Sequence, residues 1–401
     1  MFSYGRGFSI DRREKMRKVK FPLLARIVVA IILGVLLGNV FNEPLVRCFI
    51  TFNGIFSQFL GFMIPLIIVG LVTPAIADIG HGAGKLLLVT VGLAFVDTIL
   101  SGLLGYGTGL ALFPSMVENT GQVSLDKAEE LKPFFELKIP AMIDVMSALV
   151  FSFVAGLGIA YKDARTLKNV FSEFKNIVSG IISRAIIPLL PLYIFGIFLN
   201  MTYSGEAYHI LLVFAQIIVV IFVLHVCILA YEFLIAGGLA HKNPVRLLLN
   251  MLPAYFTALG TSSSAATIPV TLKQTLKNGV TDGIAGFTVP LCATIHLSGS
   301  MMKITCCALT ICMINGLPHD MLLFMNFIFV LAICMVAAPG VPGGAVMAAL
   351  GPLASVLGFT SDMQALMIAL YIAMDSFGTA CNVTGDGAIA IVVDRIFKGK
   401  K

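Results

Sequence analysis

Apolar runs recur along almost the whole of this 401-residue chain, and many exceed the roughly 20 residues that a helix needs to cross the hydrocarbon core of a bilayer. Only 12% of the residues are charged and 58% are hydrophobic. A water-soluble domain carries about a quarter charged residues, so this chain has too few to clothe a surface in water. An ordinary soluble enzyme is excluded. A membrane β-barrel calls for alternating segments of about 10 residues, which the sequence lacks, and the expected fold class is an all-α polytopic membrane protein.

The net charge of +6 does not mark a nucleic-acid partner, because the basic residues cluster at segment ends. Arg6, Arg12, Arg13, Lys15, Arg17, Lys18 and Lys20 precede the first apolar run, and Arg395, Lys398, Lys400 and Lys401 follow the last. By the positive-inside rule both termini are expected in the cytoplasm. The first apolar stretch is too long for the core of a cleavable signal and lacks a clear small-residue cleavage site. Eight scattered Cys, including Cys306, Cys307 and Cys312, show no metal-binding or disulfide spacing.

Hydropathy suggests full crossings near 22–42, 48–77, 84–113, 141–161, 176–200 and 207–236. The intervening loops alternate in charge. Lys85, Lys162, Arg165, Lys168, Lys242 and Arg246 mark cytoplasmic loops, whereas 114–140, with Glu118, Asp126, Glu129, Glu130 and Glu136, falls outside. Beyond residue 240 the apolar segments are interrupted. Gly260–Pro269 and Ala338–Gly344 each sit between arms too short to span, and each precedes a longer segment, near 283–315 and 362–394. Those longer segments are expected to break at His296–Ser300 and at Asn382–Asp386. Non-helical backbone at membrane depth survives only when buried or lining a wet site. Two such units in paired order form the pattern of inverted repeats around a midplane binding site.

Asp97, Lys303, Asp375 and Asp386 lie inside apolar segments. Four unpaired charges at helix centres would cost roughly 10–14 kcal/mol, so partners, water or bound ions are expected. The unwound backbone expected at Gly385 sets Asp375 and Asp386 in a polar environment, and carboxylates with freed carbonyls suit small hard cations. His296 reads either as a hydrogen-bonding group or as a proton site. Arg184 and Glu232 are expected at segment ends, as interface anchors.

The stretches Thr261–Thr271, Gly340-Val-Pro-Gly-Gly344 and Asp375-Ser-Phe-Gly-Thr-Ala-Cys-Asn-Val-Thr-Gly-Asp386 resemble the serine-rich first hairpin, the second-hairpin tip and the last-helix motif of the dicarboxylate/amino acid:cation symporter family. The resemblance spans nearly the full chain. It implies eight transmembrane helices, two re-entrant hairpins and an elevator-type homotrimer in the bacterial inner membrane. Residues 1–21 and 397–401 would be cytoplasmic tails, 22–240 six helices of which the third and sixth join the transport unit, and 241–396 the transport core. By matching positions, Asp375 would hold a substrate ammonium, and Asn382 with Ser263 and Ser264 its carboxylate. Thr379, Gly378, Ser300 and the gate residues Val341, Pro342 and Gly343 would complete the substrate site. Asp386 and Asn382, with His296, Ser298, Asp97 and Thr98, would hold the coupling cation, with sodium on Asp386, Asn382 and Asp97.

The departures narrow the substrate. Acidic-substrate members place an Arg where this chain has Gly378, and some bacterial members have Arg where it has Ser262. A second substrate carboxylate would be buried unpaired, at a cost of several kcal/mol. In site character the chain resembles the serine/threonine members, and sodium-coupled symport of serine, threonine or alanine is the expectation, with no cofactor beyond the coupling ion, Na+ or H+. The family's Asn-Met-Asp-Gly-Thr stands here as His296-Leu-Ser-Gly-Ser300, and Asp97-Thr98 falls where two hydroxyl residues are usual. The missing carboxylate is therefore expected to have moved to Asp97. Proton coupling is the alternative that His296 and Lys303 raise. A channel needs no gated substrate hairpins, and an intramembrane enzyme lacks a base within the serine cluster's own segment.

Overall fold

The computed structural model describes residues 23–79, 85–119, 131–205, 207–336, 338 and 342–398. The described residues form helices and connecting turns, with no strand among them. The first half comprises α1 Leu23–Gly38, α2 Glu43–Ile79, α3 Lys85–Asn119, α4 Val145–Lys162, α5 Arg165–Ile181, α6 Ile187–Tyr203 and α7 Ala207–Ala240, with a π-helical turn at Ile182–Ile186 joining α5 to α6. These boundaries lie within a few residues of the hydropathy segments, except that α5 begins well before residue 176. The tails before residue 23 and after 398, and 120–130 of the acidic loop, lie outside the described residues.

The second half is built of shorter helices: α8 Pro244–Thr261, α9 Ser264–Lys277, α10 Asp282–Ile295, α11 Ser298–Ile314, α12 Met321–Met335, α13 Gly344–Ser355, α14 Ser361–Ala373 and α15 Asp375–Lys398. Each break has a local cause. Ser262 takes a left-handed conformation with φ +49°, and Ser263 then caps α9 by accepting the Ala266 N–H at 3.3 Å. Gly343, with φ +76°, takes the left-handed turn that starts α13. Asp320 and Thr360 cap α12 and α14. Among the described residues, six helical stretches are long and apolar enough to cross a membrane, the longest being Arg165–Tyr203 with 39 residues. The fold is that of an all-helical, polytopic membrane protein.

The break at His296 is present: His296 and Leu297 leave the helical conformation between α10 and α11. The break expected at Asn382–Asp386 is not there. The last segment breaks instead at Met374, and α15 runs unbroken through Gly385. Glycine in this stretch serves close approach rather than unwinding. A Cβ at Gly385 would lie 2.5 Å from Glu232 Oε2 and 2.8 Å from His296 Cε1, one at Gly387 2.6 Å from Met251 Cε, and one at Gly378 2.9 Å from Lys303 Nζ. Three bare backbone positions let four neighbouring side chains lie directly on α15.

Helices α1, α2, α4, α5 and α6 pack among themselves, and α3 and α7 pack instead with α10, α11 and α15. The two groups meet where α13 and α14 lie against α1, α2, α4 and α6. Helix α11 is buried over Ser298–Cys312 and is fixed to α15 at Gly299, where a Cβ would come within 2.6 Å of Cys381 Cβ and 2.9 Å of the Gly378 carbonyl oxygen. Gly299→Ala is therefore expected to cost about 1–3 kcal/mol, seen as a lower midpoint in thermal unfolding of the detergent-solubilised protein.

Candidate functional site

The four helix breaks of the second half converge on one small cavity. Ser264, Ser300, Ala345 and Asp375 bring to its wall the first turns of α9, α11, α13 and α15, and Ser262, Thr294, Ala338 and Tyr371 bring the ends of α8, α10, α12 and α14. Helix N-termini carry partial positive charge and C-termini partial negative charge. Backbone alone thus gives the cavity poles of both signs. Ala293, Leu297, Thr379 and Asn382 complete the wall.

Asp375 is buried, and its carboxylate is held from two sides. Oδ2 accepts the Gly343 N–H at 2.8 Å, and Oδ1 lies 3.9 Å from Lys303 Nζ. The turn that starts α13 thereby closes onto the carboxylate. Asn382 ties α15 to the first turn of α11: Oδ1 accepts from Gly299 N at 2.8 Å and Ser300 N at 3.3 Å, and Nδ2 donates to Ser300 Oγ at 3.1 Å. The amide has a second N–H to offer the cavity. Ser300 Oγ also meets the Tyr371 hydroxyl at 3.0 Å.

Of the substrate residues expected from sequence, Asp375, Asn382, Thr379, Ser264 and Ser300 line this cavity. Ser263 serves as the α9 cap, Gly343 reaches Asp375 through its backbone, Pro342 lies in the turn before it, and Gly378 lies under Lys303. Val341 falls outside the described residues. Tyr371 and Ser262 are cavity residues absent from that expected set. Ser262 Oγ pairs with Ser376 Oγ at 2.7 Å across the two breaks.

A second, largely buried polar cluster lies where α3, α7, the α10–α11 break and α15 meet. His296 is its centre: Nδ1 is 3.0 Å from Asp386 Oδ1 and Nε2 is 2.8 Å from Asp97 Oδ2. Asp97 Oδ1 accepts from the Tyr231 hydroxyl at 2.9 Å. Ser298 Oγ donates to Glu232 Oε1 at 2.9 Å, and Glu232 Oε1 lies 3.9 Å from His296 Nε2. Glu232 Oε2 is buried with no hydrogen-bond partner among the described residues. Thr98 Oγ1 donates to the Ala94 carbonyl at 2.7 Å and accepts from Leu297 N at 3.4 Å.

Glu232 is the correction here. It is 4% exposed and sits inside the cluster, not at an interface. The sequence did hold a signal: Glu232 is the one acid in the apolar span Ile210–Ala240 and stands eight residues before its end, about 12 Å deep at 1.5 Å per residue. Arg184, by contrast, is exposed on the π-helical turn.

The chemistry of the cluster follows from counting protons. A neutral imidazole has one N–H and an ionised carboxylate none, so both His296 bonds need at least two protons shared among Asp386, His296 and Asp97. With two, the triad carries one net negative charge, and an ionised Glu232 adds another. Asp97, Glu232 and His296 each offer a ligand atom within 4.8 Å of the others. The carboxylate oxygens are hard donors suited to sodium; the ring nitrogens are engaged with carboxylates.

The chain matches the model of the sodium:dicarboxylate symporter family over residues 23–396. It is 30% identical over 397 residues to the serine/threonine transporter SstT of Acinetobacter baumannii strain AYE, covering 94% of this chain and 97% of that protein. The SstT proteins of strains AB307-0294 and AB0057 match with the same identity and coverage.

Proposed function

Because this chain belongs to the sodium:dicarboxylate symporter family, a family of membrane transporters rather than enzymes, we propose that it carries out sodium-coupled symport of a small neutral amino acid, with serine, threonine and alanine favoured. The observation that carries this reading is the cavity formed by eight helix ends, four of each polarity, with Asp375 on one wall and Asn382 on another. A zwitterion needs such a site: a carboxylate for its ammonium, and amide, hydroxyl and helix N-terminal groups for its carboxylate. Among the described residues no Arg lines the cavity, and Lys303, though near Gly378, directs its ammonium at backbone carbonyls and Asp375 and is not among the lining residues. The name of the SstT relatives points the same way.

The packing supports eight crossings and two re-entrant hairpins, α8–α9 and α12–α13. In this reading α1, α2, α4, α5 and α6 form a scaffold, and α3 with α7–α15 forms a unit that slides as an elevator. A homotrimer in the inner membrane with cytoplasmic termini completes the proposal, consistent with the basic residues at both ends of the sequence.

One observation favours proton coupling as a second reading: His296 bridges two carboxylates where a cation would sit. Proteoliposomes with separately imposed sodium and pH gradients decide between them. Labelled serine is expected to accumulate under an inward sodium gradient at uniform pH, and to be displaced by threonine and alanine. Accumulation driven by pH alone establishes proton coupling, and displacement by glutamate without alanine or threonine overturns the neutral substrate. One net charge moving down 100 mV supplies about 2.3 kcal/mol, which is roughly fifty-fold accumulation at about 1.4 kcal/mol per tenfold.

A further inference from the structure

Lys303 is fully buried, and no role for it follows from the substrate or cation sites as described. Its ammonium donates to the carbonyls of Tyr371 at 3.4 Å and Met374 at 3.2 Å, lies 3.5 Å from the centroid of the Tyr371 ring, and stands 3.9 Å from Asp375 Oδ1. The space it fills is the one left open by the absent Gly378 side chain. The carbonyl ends of α14, an aromatic face and a carboxylate make a complete cradle for a cation.

The charge count gives this cradle its meaning. Asp375 and Lys303 sum to zero, and a zwitterionic substrate adds zero. The site is then neutral whether or not substrate is bound. Without the ammonium, Asp375 would find a counter-charge in the substrate's own ammonium during a loaded crossing and, with only the Gly343 N–H bond left, no counter-charge during an empty one. We propose that Lys303 is the resident counter-cation of Asp375, which keeps the substrate site neutral as it returns across the membrane between one substrate and the next. The proposal rests on the symporter reading, because only a carrier makes an empty return.

Exchange and net flux separate the two crossings. Serine–serine exchange uses loaded crossings alone, whereas net uptake into serine-free proteoliposomes also requires the return. In Lys303→Gln the ratio of net uptake to exchange is expected to fall about tenfold or more, the scale set by an unpaired buried charge, with exchange kept within about threefold. Gly378→Ala, which crowds Nζ without removing it, is expected to lower the same ratio by about two- to fivefold. Equal losses of both modes in Lys303→Gln, or an unchanged ratio in either variant, overturn the proposal. A thermal-unfolding cycle tests the pairing without transport: Asp375→Asn with Lys303→Met together is expected to be more stable than either alone, and strictly additive losses count against it. Wild-type protein that exchanges no serine refutes the substrate assignment instead, and the same ratio read with labelled aspartate still decides the role of Lys303.

Discussion

Asp375→Asn is expected to weaken serine binding at least about a hundredfold. The carboxylate is buried on the cavity wall and is held by the Gly343 N–H and the Lys303 ammonium. Asn keeps the size and can still accept from Gly343, so what is lost is the charge facing the substrate ammonium. Removing one partner of a buried charge pair costs about 3–5 kcal/mol, and each tenfold in affinity is about 1.4 kcal/mol. Serine-dependent thermal stabilisation of the purified protein measures it directly. Retention of serine affinity within about tenfold of wild type would show that Asp375 does not hold the ammonium.

Glu232→Gln is the second, and its effect is expected on coupling rather than on binding. Accumulation of serine under an imposed gradient should fall from tens of fold towards equality across the membrane, the loss expected when about 2.3 kcal/mol per 100 mV is no longer harnessed. Its partner substitution makes the test specific. Ser298 Oγ donates to Glu232 Oε1 at 2.9 Å, so the Glu232 carboxylate stands at the tip of the side chain whose position the family resemblance marks for an acid. Ser298→Asp in the Glu232→Gln background therefore returns a carboxylate to the same place and is expected to restore part of the gradient-driven uptake. Ser298→Asp alone sets two carboxylates against each other and is expected to impair uptake. Asp97→Asn is also expected to abolish coupling, but with little rescue by Ser298→Asp while Glu232 remains. If Ser298→Asp rescues Asp97→Asn and has no effect on Glu232→Gln, the transferred carboxylate is Asp97 alone.

The contrast between those two acids shows how much of the site the sequence exposed. Asp97 was legible because a charge in the middle of an apolar run is costly wherever it points. Glu232 was not, because eight residues from the end of α7 a long acid can reach either an interface or a buried neighbour. Only the approach of α15, made possible by Gly385, selects the second. The same ambiguity misplaced the last break. Gly378, Gly385 and Gly387 spell flexibility in one dimension, yet in three dimensions they are seats for Lys303, the Glu232–His296 pair and Met251. Hydropathy and length placed the six apolar segments of the first half within a few residues, apart from the start of α5, because each is a long uninterrupted apolar run. The breaks at Ser262–Ser263 and His296–Leu297 were legible from their polar residues. The Met374 break is stabilised from a distant segment, by Lys303, which donates to the carbonyls of Tyr371 and Met374.

The boundary between the two helix groups has a mechanical consequence. In its interior Gly351 of α13 comes to rest against Ile64, Ile68 and Val145, while a hydrogen bond from the Tyr193 hydroxyl to the Ser361 carbonyl, 3.3 Å, lies at the first residue of α14. Dispersion contacts are individually small and have no preferred direction, so aliphatic branches sliding past one another exchange each contact for an equivalent one. Such a seam resists separation far more than shear. In the elevator reading the polar clusters lie wholly on one side of this seam, and sliding along it exchanges aliphatic contacts and breaks the hydrogen bond from Tyr193 to Ser361.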